Sequence, residues 1–180
     1  FTRGLVLHES AHAAITRLEA IVPTHVLKDR RLFPLFNTVE DERIETWMMR
    51  RFPGCRPWVQ EYNNKLFRPV LSADTSKLPA AQFINALLTR WWFGEPTGPL
   101  TDEVRQALET VWPSIERILK ALPPAPDALD DIASAYAQSP VSRCYAIKDH
   151  DEPPGPYEQA VRIAQYEMWS ILHREILPVY

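Results

Sequence analysis

Apolar residues recur along most of the chain at intervals of three and four positions, the spacing that places them on one face of an α-helix. No segment alternates apolar and polar residues convincingly, which is the pattern typical of a β-strand. Prolines cluster in residues 122–127 and 152–156, which we interpret as loops between helices. The pattern therefore predicts an all-α fold, or α with minimal β, with helices over about residues 3–20, 35–51, 57–67, 79–92, 101–111, 113–122, 126–138 and 157–176.

The composition and charge of the chain indicate which classes of partner are not expected. The 20 lysine and arginine residues and 23 acidic residues give a formal net charge of −3, and no basic run occurs, so neither nucleic acid nor a membrane surface is expected as a partner. Cys55 and Cys144 form no CxxC pair, which favours a reduced, cytoplasmic protein. A length of 180 residues suits one domain, and because residue 1 is phenylalanine we expect a fragment of a longer chain.

The sequence LHESAH, residues 7–12, contains the motif H-E-x-x-H. On a helix His8 and His12 project from the same face, one turn apart, where one Zn²⁺ can accept a nitrogen from each. The metal would lower the pKa of a coordinated water, and Glu9 could accept the proton of that water as general base. The competing interpretation is two core histidines beside an incidental glutamate.

A third ligand is expected on the next predicted helix, residues 35–51, because catalytic zinc takes three protein ligands. Its apolar stripe contains Phe36, Val39, Ile44 and Trp47. Glu40 and Arg43 fall inside that stripe, whereas Glu42, Thr46 and Arg50 fall outside it. A carboxylate in a buried stripe must be paired or bind metal, so Glu40 is our predicted third ligand.

Several alternatives stay open on this helix. Asp41, one step round the helix, is the alternative ligand, and either Asp41 or Glu45 could instead accept a hydrogen bond from a ligand histidine. Arg43 could pair with one of these acids or stabilise an oxyanion. Without a metal, Glu40 would have to be protonated or neutralised by Arg43. Spare candidates for a proton donor are His173, Tyr166 and Tyr62.

The first 55 residues resemble a known arrangement. An HExxH helix followed by a glutamate on a second helix is that of gluzincin metallopeptidases, and NTVEDERIETWMMRRFPG resembles the region ahead of the von Willebrand A domain in CobT-like proteins of bacteria and phages. Those proteins carry HExxH and then N-x-x-ED-x-RIE ending in Pro-Gly, matched here by His8, Glu9, His12, Asn37, Glu40, Asp41, Arg43, Ile44, Glu45, Pro53 and Gly54. Gluzincins usually bind substrate along a strand that precedes the HExxH helix, and the seven residues before His8 are too few to contain it.

The resemblance implies a single helical zincin-like domain over residues 1–180, in which an active-site helix pair precedes a helical bundle. We therefore expect a zinc-dependent hydrolase, most specifically a metallopeptidase acting on a peptide or protein, with His8, His12 and Glu40 on Zn²⁺ and Glu9 as the catalytic base. The alternative is a non-catalytic, zinc-stabilised adaptor module that works with a von Willebrand A domain and a MoxR-type AAA+ ATPase. The adaptor predicts a fourth protein ligand, from Asp41, Glu45 or His173.

Overall fold

The protein is built from helices, as the hydrophobic pattern predicts. The computed structural model describes residues 1–72, 78–96, 100–144 and 154–180, and no strand occurs among them. The helices are α1 (Thr2–Ile15), α2 (Leu18–Ile21), α3 (Thr24–Leu27), α4 (Phe33–Arg51), α5 (Arg56–Ser72), α6 (Pro79–Phe93), α7 (Asp102–Ile118), α8 (Ile132–Gln138), α9 (Val141–Cys144) and α10 (Pro156–Ile171). A 3₁₀ turn, Pro53–Cys55, precedes α5, and a π-helical turn, Leu172–Ile176, follows α10. None of the helices in these ranges is long and apolar enough to cross a membrane.

The first predicted helix, residues 3–20, is broken at Thr16. Thr16 adopts an extended conformation, with φ −89° and ψ 128°, and a separate short helix, α2, follows it. Two groups outside the helix hold this break: the Arg17 amide donates to Gln165 Oε1 at 2.8 Å, and the Thr16 hydroxyl donates to Glu40 Oε1 at 2.6 Å. The tertiary hydrogen bonds therefore override a sequence that contains no helix-breaking residue at this point.

Helix α4 is the centre of the fold. It packs against α1, α5 and α6, and it is buried on almost every side. Glu42 and Thr46, which we expected outside the apolar stripe, are 4% and 7% exposed, so that expectation was wrong. The reason is that neighbouring helices cover more than one face of α4. The apolar positions along its sequence mark only one of those faces.

The helices predicted over residues 101–111 and 113–122 form one helix, α7, and the other remaining helices differ from the predicted ones mainly at their ends. Pro113 lies inside α7 without ending it, and Thr101 caps that helix by accepting a hydrogen bond from the Val104 amide at 3.4 Å. Helix α8 begins only at Ile132, because Asp131 has a left-handed conformation with φ 62°. Of the loop predicted at residues 152–156, residues 152 and 153 lie outside the described residues, and α10 begins at Pro156.

One close approach fixes α1 against α5. A Cβ atom at Gly4 would fall within 2.5 Å of the Trp58 carbonyl oxygen and closer still to Tyr62 Cβ. Only glycine fits this contact, so the two helices meet with nothing between them at the turn that precedes His8.

Candidate metal centre

Helices α1 and α4 bring three possible metal ligands together. His12 Nε2 lies 3.2 Å from His8 Nε2 and 3.0 Å from Asp41 Oδ1, and His8 Nε2 lies 3.7 Å from the same oxygen. Ligand atoms around a tetrahedral zinc, with bonds of about 2.0–2.1 Å, are about 3.3 Å apart. The three observed distances surround that value, and these are the only residues in the described ranges that form such a group.

The outer nitrogen of each histidine has its own partner. His8 Nδ1 lies 2.8 Å from Glu45 Oε1, and His12 Nδ1 lies 3.0 Å from the Thr16 hydroxyl oxygen. Thr16 gives its only hydroxyl hydrogen to Glu40, so it accepts from His12 Nδ1–H, and the Glu45 carboxylate accepts from His8 Nδ1–H. With these partners each ring presents its Nε2 to Asp41 Oδ1, and a cation or a proton between the three atoms would satisfy that arrangement.

Asp41 is held in place by its own helix. Asn37, one turn earlier on α4, donates to Asp41 Oδ2 at 2.7 Å and leaves Oδ1 facing the histidines. The side chains of Asp41 and His12 are 25% and 26% exposed, whereas that of His8 is 11% exposed. The cluster is therefore open to solvent on the side of Asp41 and His12, which leaves room for a water or a substrate group.

Glu40, the predicted third ligand, does not lie with the histidines. It is 1% exposed, and its carboxylate accepts two hydrogen bonds from Arg43, from Nε at 2.9 Å and from Nη2 at 2.8 Å. The Gln165 amide and the Thr16 hydroxyl also donate to it. Burial raises the pKa of Glu40, but the Arg43 charge and these hydrogen bonds outweigh burial and lower it. In the described structure the alternative ligand, Asp41, occupies the position expected of Glu40.

Of the two explanations that the sequence allowed for a buried carboxylate at Glu40, pairing or metal binding, the structure shows pairing with Arg43. Arg43 is 0% exposed and also donates to the Ile15 carbonyl at 3.0 Å and to Gln165 at 3.2 Å. These bonds tie the carboxyl end of α1 to α4, immediately below the histidines. Thr16 links this buried pair to His12, a role that its position four residues after His12 could have suggested.

Acidic groups surround His8. Burial lowers the pKa of His8, but its hydrogen bond with Glu45 and the charges of Asp41, Glu45 and Glu9 raise it overall. Glu45, one of the two acids expected to hold a ligand histidine, is 2% exposed and also accepts from Asn63 at 2.6 Å. Burial raises the pKa of Glu45 more than its two hydrogen bonds lower it. The hydrogen bond and the acidic charges around His8 therefore outweigh burial in their effect on its pKa.

Glu9 is exposed and follows His8 on α1. Its charge is the smallest of the effects that raise the pKa of His8 and of Tyr62. The Tyr62 ring packs on the His8 ring with 5.6 Å between centroids, and burial is the largest of the effects that raise its pKa. Tyr62 is thus the spare donor candidate that contacts a histidine of the cluster.

The other candidates lie elsewhere. His173 is exposed and packs against Trp169 with 4.9 Å between ring centroids, and Tyr166 packs with Ile21, Tyr136 and Val141. Neither belongs to the metal-ligand group.

A cavity of about 940 Å³ opens beside His12. Thr16 also lines it, together with apolar residues of α1–α4 that include Leu18, Leu27 and Phe33. Phe33, in the first turn of α4, is 44% exposed, so the cavity wall includes an accessible aromatic side chain. A ligand that reaches His12 from this side would meet a largely apolar wall that also contains Arg17, Glu19 and Lys28.

Neither a protein-family model, nor a curated protein, nor a solved structure matches this chain.

Proposed function

We propose that the protein is a zinc-dependent hydrolase, most specifically a metallopeptidase, with His8, His12 and Asp41 as metal ligands and Glu9 as general base. The observation that carries the proposal is the convergence of two Nε2 lone pairs and one carboxylate oxygen at distances of 3.0–3.7 Å. Asp41 takes the place that the sequence assigned to Glu40.

The donor set fits zinc. Two imidazoles and one carboxylate with a solvent-open side are one of the ligand sets of catalytic zinc, and the same set also binds non-haem iron, so iron is the alternative metal. Each ligand has an outer partner that orients it: Glu45 for His8, Thr16 for His12, and Asn37 for Asp41. When bound, zinc would supply a Lewis acid and lower the pKa of water toward neutrality.

The residues of the chain would perform the proton transfers. Glu9 follows the first ligand on α1 and is exposed, so it can accept a proton from the attacking water and return it to the leaving amine. Tyr62, whose ring packs on that of His8, would donate a hydrogen bond to a developing oxyanion. The substrate would occupy the cavity beside His12, with an apolar side chain against Leu18, Leu27 and Phe33.

Cleavage of a mixed peptide library by the zinc-loaded protein tests the proposal, with products read by mass spectrometry. We expect Glu9→Gln to lose cleavage by at least about a hundredfold while keeping metal and melting temperature. Glu103→Gln, an exposed carboxylate on α7, is the matched control and keeps full activity. If the zinc-loaded wild type cleaves no peptide, the result would contradict the proposed metallopeptidase activity and favour the alternative of a non-catalytic, zinc-stabilised adaptor module.

The von Willebrand A and MoxR-type AAA+ partners stay predictions from the resemblance. A pull-down of the zinc-loaded chain with candidate ATPases of that class tests them, and an absence of ATP-dependent association would count against them.

A further inference from the structure

A second cavity, of about 390 Å³, lies away from the histidine cluster. Its walls are the end of α4, the proline-rich segment 122–126 that follows α7, and the first turn of α10. Arg50, at this cavity, and Asp41 are nine residues apart on α4, which corresponds to about 13 Å along the helix axis. The cavity is therefore separate from the proposed metal centre.

Three cationic side chains line this cavity, and none of the described residues in its lining is acidic. Arg50, Arg51 and Lys120 are exposed, and none of them forms an ion pair with another described residue. Acidic residues outnumber basic ones in this chain, 23 to 20. A lining with three cations and, among the described residues, no acid is thus contrary to the average charge of the protein, and an anion in the cavity would reduce the repulsion among the three charges.

Helix polarity accounts for only part of this arrangement. Arg50 and Arg51 lie in the last turn of α4, and Lys120 follows the end of α7, where the helix dipole favours a positive charge. That effect explains why cations occur at each helix end. It does not explain why both helix ends face one cavity whose described lining contains no carboxylate.

The walls between the cations are rigid and rich in rings. Pro123, Pro124 and Pro126 have fixed φ angles, and the aromatic rings of Trp47 and Tyr157 complete the lining. Arg51 is close enough to Tyr157 that its charge partly offsets the burial that raises the pKa of that phenol. A volume of about 390 Å³ lies within the range of pockets for small molecules.

We propose that this cavity binds a small phosphate ester that carries an aromatic ring, of about mononucleotide size. Arg50, Arg51 and Lys120 would contact the phosphate, since arginine and lysine donors match its charge and geometry. Trp47, Tyr157 and the prolines would contact the ring. The same chemistry is present in a nucleoside monophosphate and in a phosphorylated phenol.

Isothermal titration calorimetry with AMP, phenyl phosphate, inorganic phosphate and adenosine tests the proposal. The titrations use an Asp41→Asn protein, so that binding at the proposed metal centre does not contribute. We expect AMP or phenyl phosphate to bind at least about tenfold more tightly than inorganic phosphate, and more weakly as salt is raised. Which of the two esters binds better distinguishes the nucleotide from the phosphorylated phenol.

Substitution of single cations locates the binding. Arg50→Gln and Lys120→Gln should each weaken ester binding by about tenfold, whereas Arg30→Gln and Arg105→Gln, which remove exposed cations elsewhere, should leave it unchanged. Equal effects in all four variants, or no ester binding at all, would overturn the proposal. Tight binding of inorganic phosphate alone would overturn the part that assigns a ring to the ligand.

Discussion

Substitution of Glu40 by glutamine tests whether this residue stabilises the fold or binds the metal. Glu40 and Arg43 are 1% and 0% exposed and are joined by two hydrogen bonds of 2.8 and 2.9 Å. Glutamine has the shape of glutamate but no charge, so it leaves the Arg43 guanidinium buried without a counter-charge. Arg43 Nη1 already lacks a hydrogen-bond partner, so the pair has no spare acceptor.

The expected loss is large. Removing one partner of a buried ion pair costs about 3–5 kcal/mol, a substantial part of a total stability of about 5–15 kcal/mol. For a chain of this length about 1 kcal/mol lowers the melting temperature by about 2–4 °C, so the variant should melt about 10 °C lower. Replacing both partners, as Glu40→Gln with Arg43→Met, should recover much of the loss because no charge then stays buried.

Thermal melts by circular dichroism in the presence of a chelator measure this effect without metal. Asp41→Asn is the matched control: it lies on the same helix and is 25% exposed, so the free energy of unfolding should change by no more than about 1 kcal/mol. If Glu40→Gln melts like the wild type while Asp41→Asn melts far lower, the assignment of Glu40 to the fold and Asp41 to the metal is refuted.

Three further substitutions test contacts made by helices α1 and α4. Burial and the charges of Glu45 and Asp41 raise the pKa of Glu42 well above 4.5. Because the folded state holds this proton more tightly than the unfolded state, the wild type loses stability as the pH rises from 4.5 through the folded-state pKa of Glu42. The Glu42→Gln variant, which cannot ionise, should therefore melt at a higher temperature than the wild type at pH 8 and at the same temperature at pH 4. Glu45→Gln should weaken zinc binding by about 10–100-fold in a competition titration, because it removes the carboxylate that orients His8. Gly4→Ala should destabilise the protein by at least about 1–3 kcal/mol in urea, since the added methyl group meets α5.

Each of these has an outcome that would count against it. A Glu42→Gln melting difference that is constant with pH would mean that Glu42 ionises normally. Unchanged zinc affinity in Glu45→Gln would mean that this carboxylate does not orient His8. A Gly4→Ala protein as stable as wild type would mean that α1 and α5 can separate without cost; Gly54→Ala, where nothing lies within 4 Å, is the matched control.

The helices and one half of the site could be predicted from the sequence because they depend on local spacing. The four-residue interval between His8 and His12 places both on one face of α1 wherever that helix packs. The boundaries of α4 and the left-handed end of α6 at Gly94 likewise follow from Pro34, Pro53 and a glycine.

The choice between Glu40 and Asp41 could not be made from local spacing. The two residues differ by 100° around α4, and which of them faces α1 depends on the rotation of that helix within a surround of α1, α5 and α6. Burial was correctly inferred for Glu40, but the argument from burial allowed both pairing and metal binding, and Arg43 provides the pairing. The break at Thr16 likewise depends on Gln165, which lies 148 positions after Arg17 in sequence.

The most direct test of the metal centre is the metal content of the purified protein by mass spectrometry, for the wild type, His12→Ala, Asp41→Ala and Glu40→Gln. We predict one equivalent of zinc in the wild type, its loss in His12→Ala and Asp41→Ala, and its retention in folded Glu40→Gln. No zinc in the wild type after zinc is added back, or zinc kept by Asp41→Ala and lost by folded Glu40→Gln, would contradict the assignment.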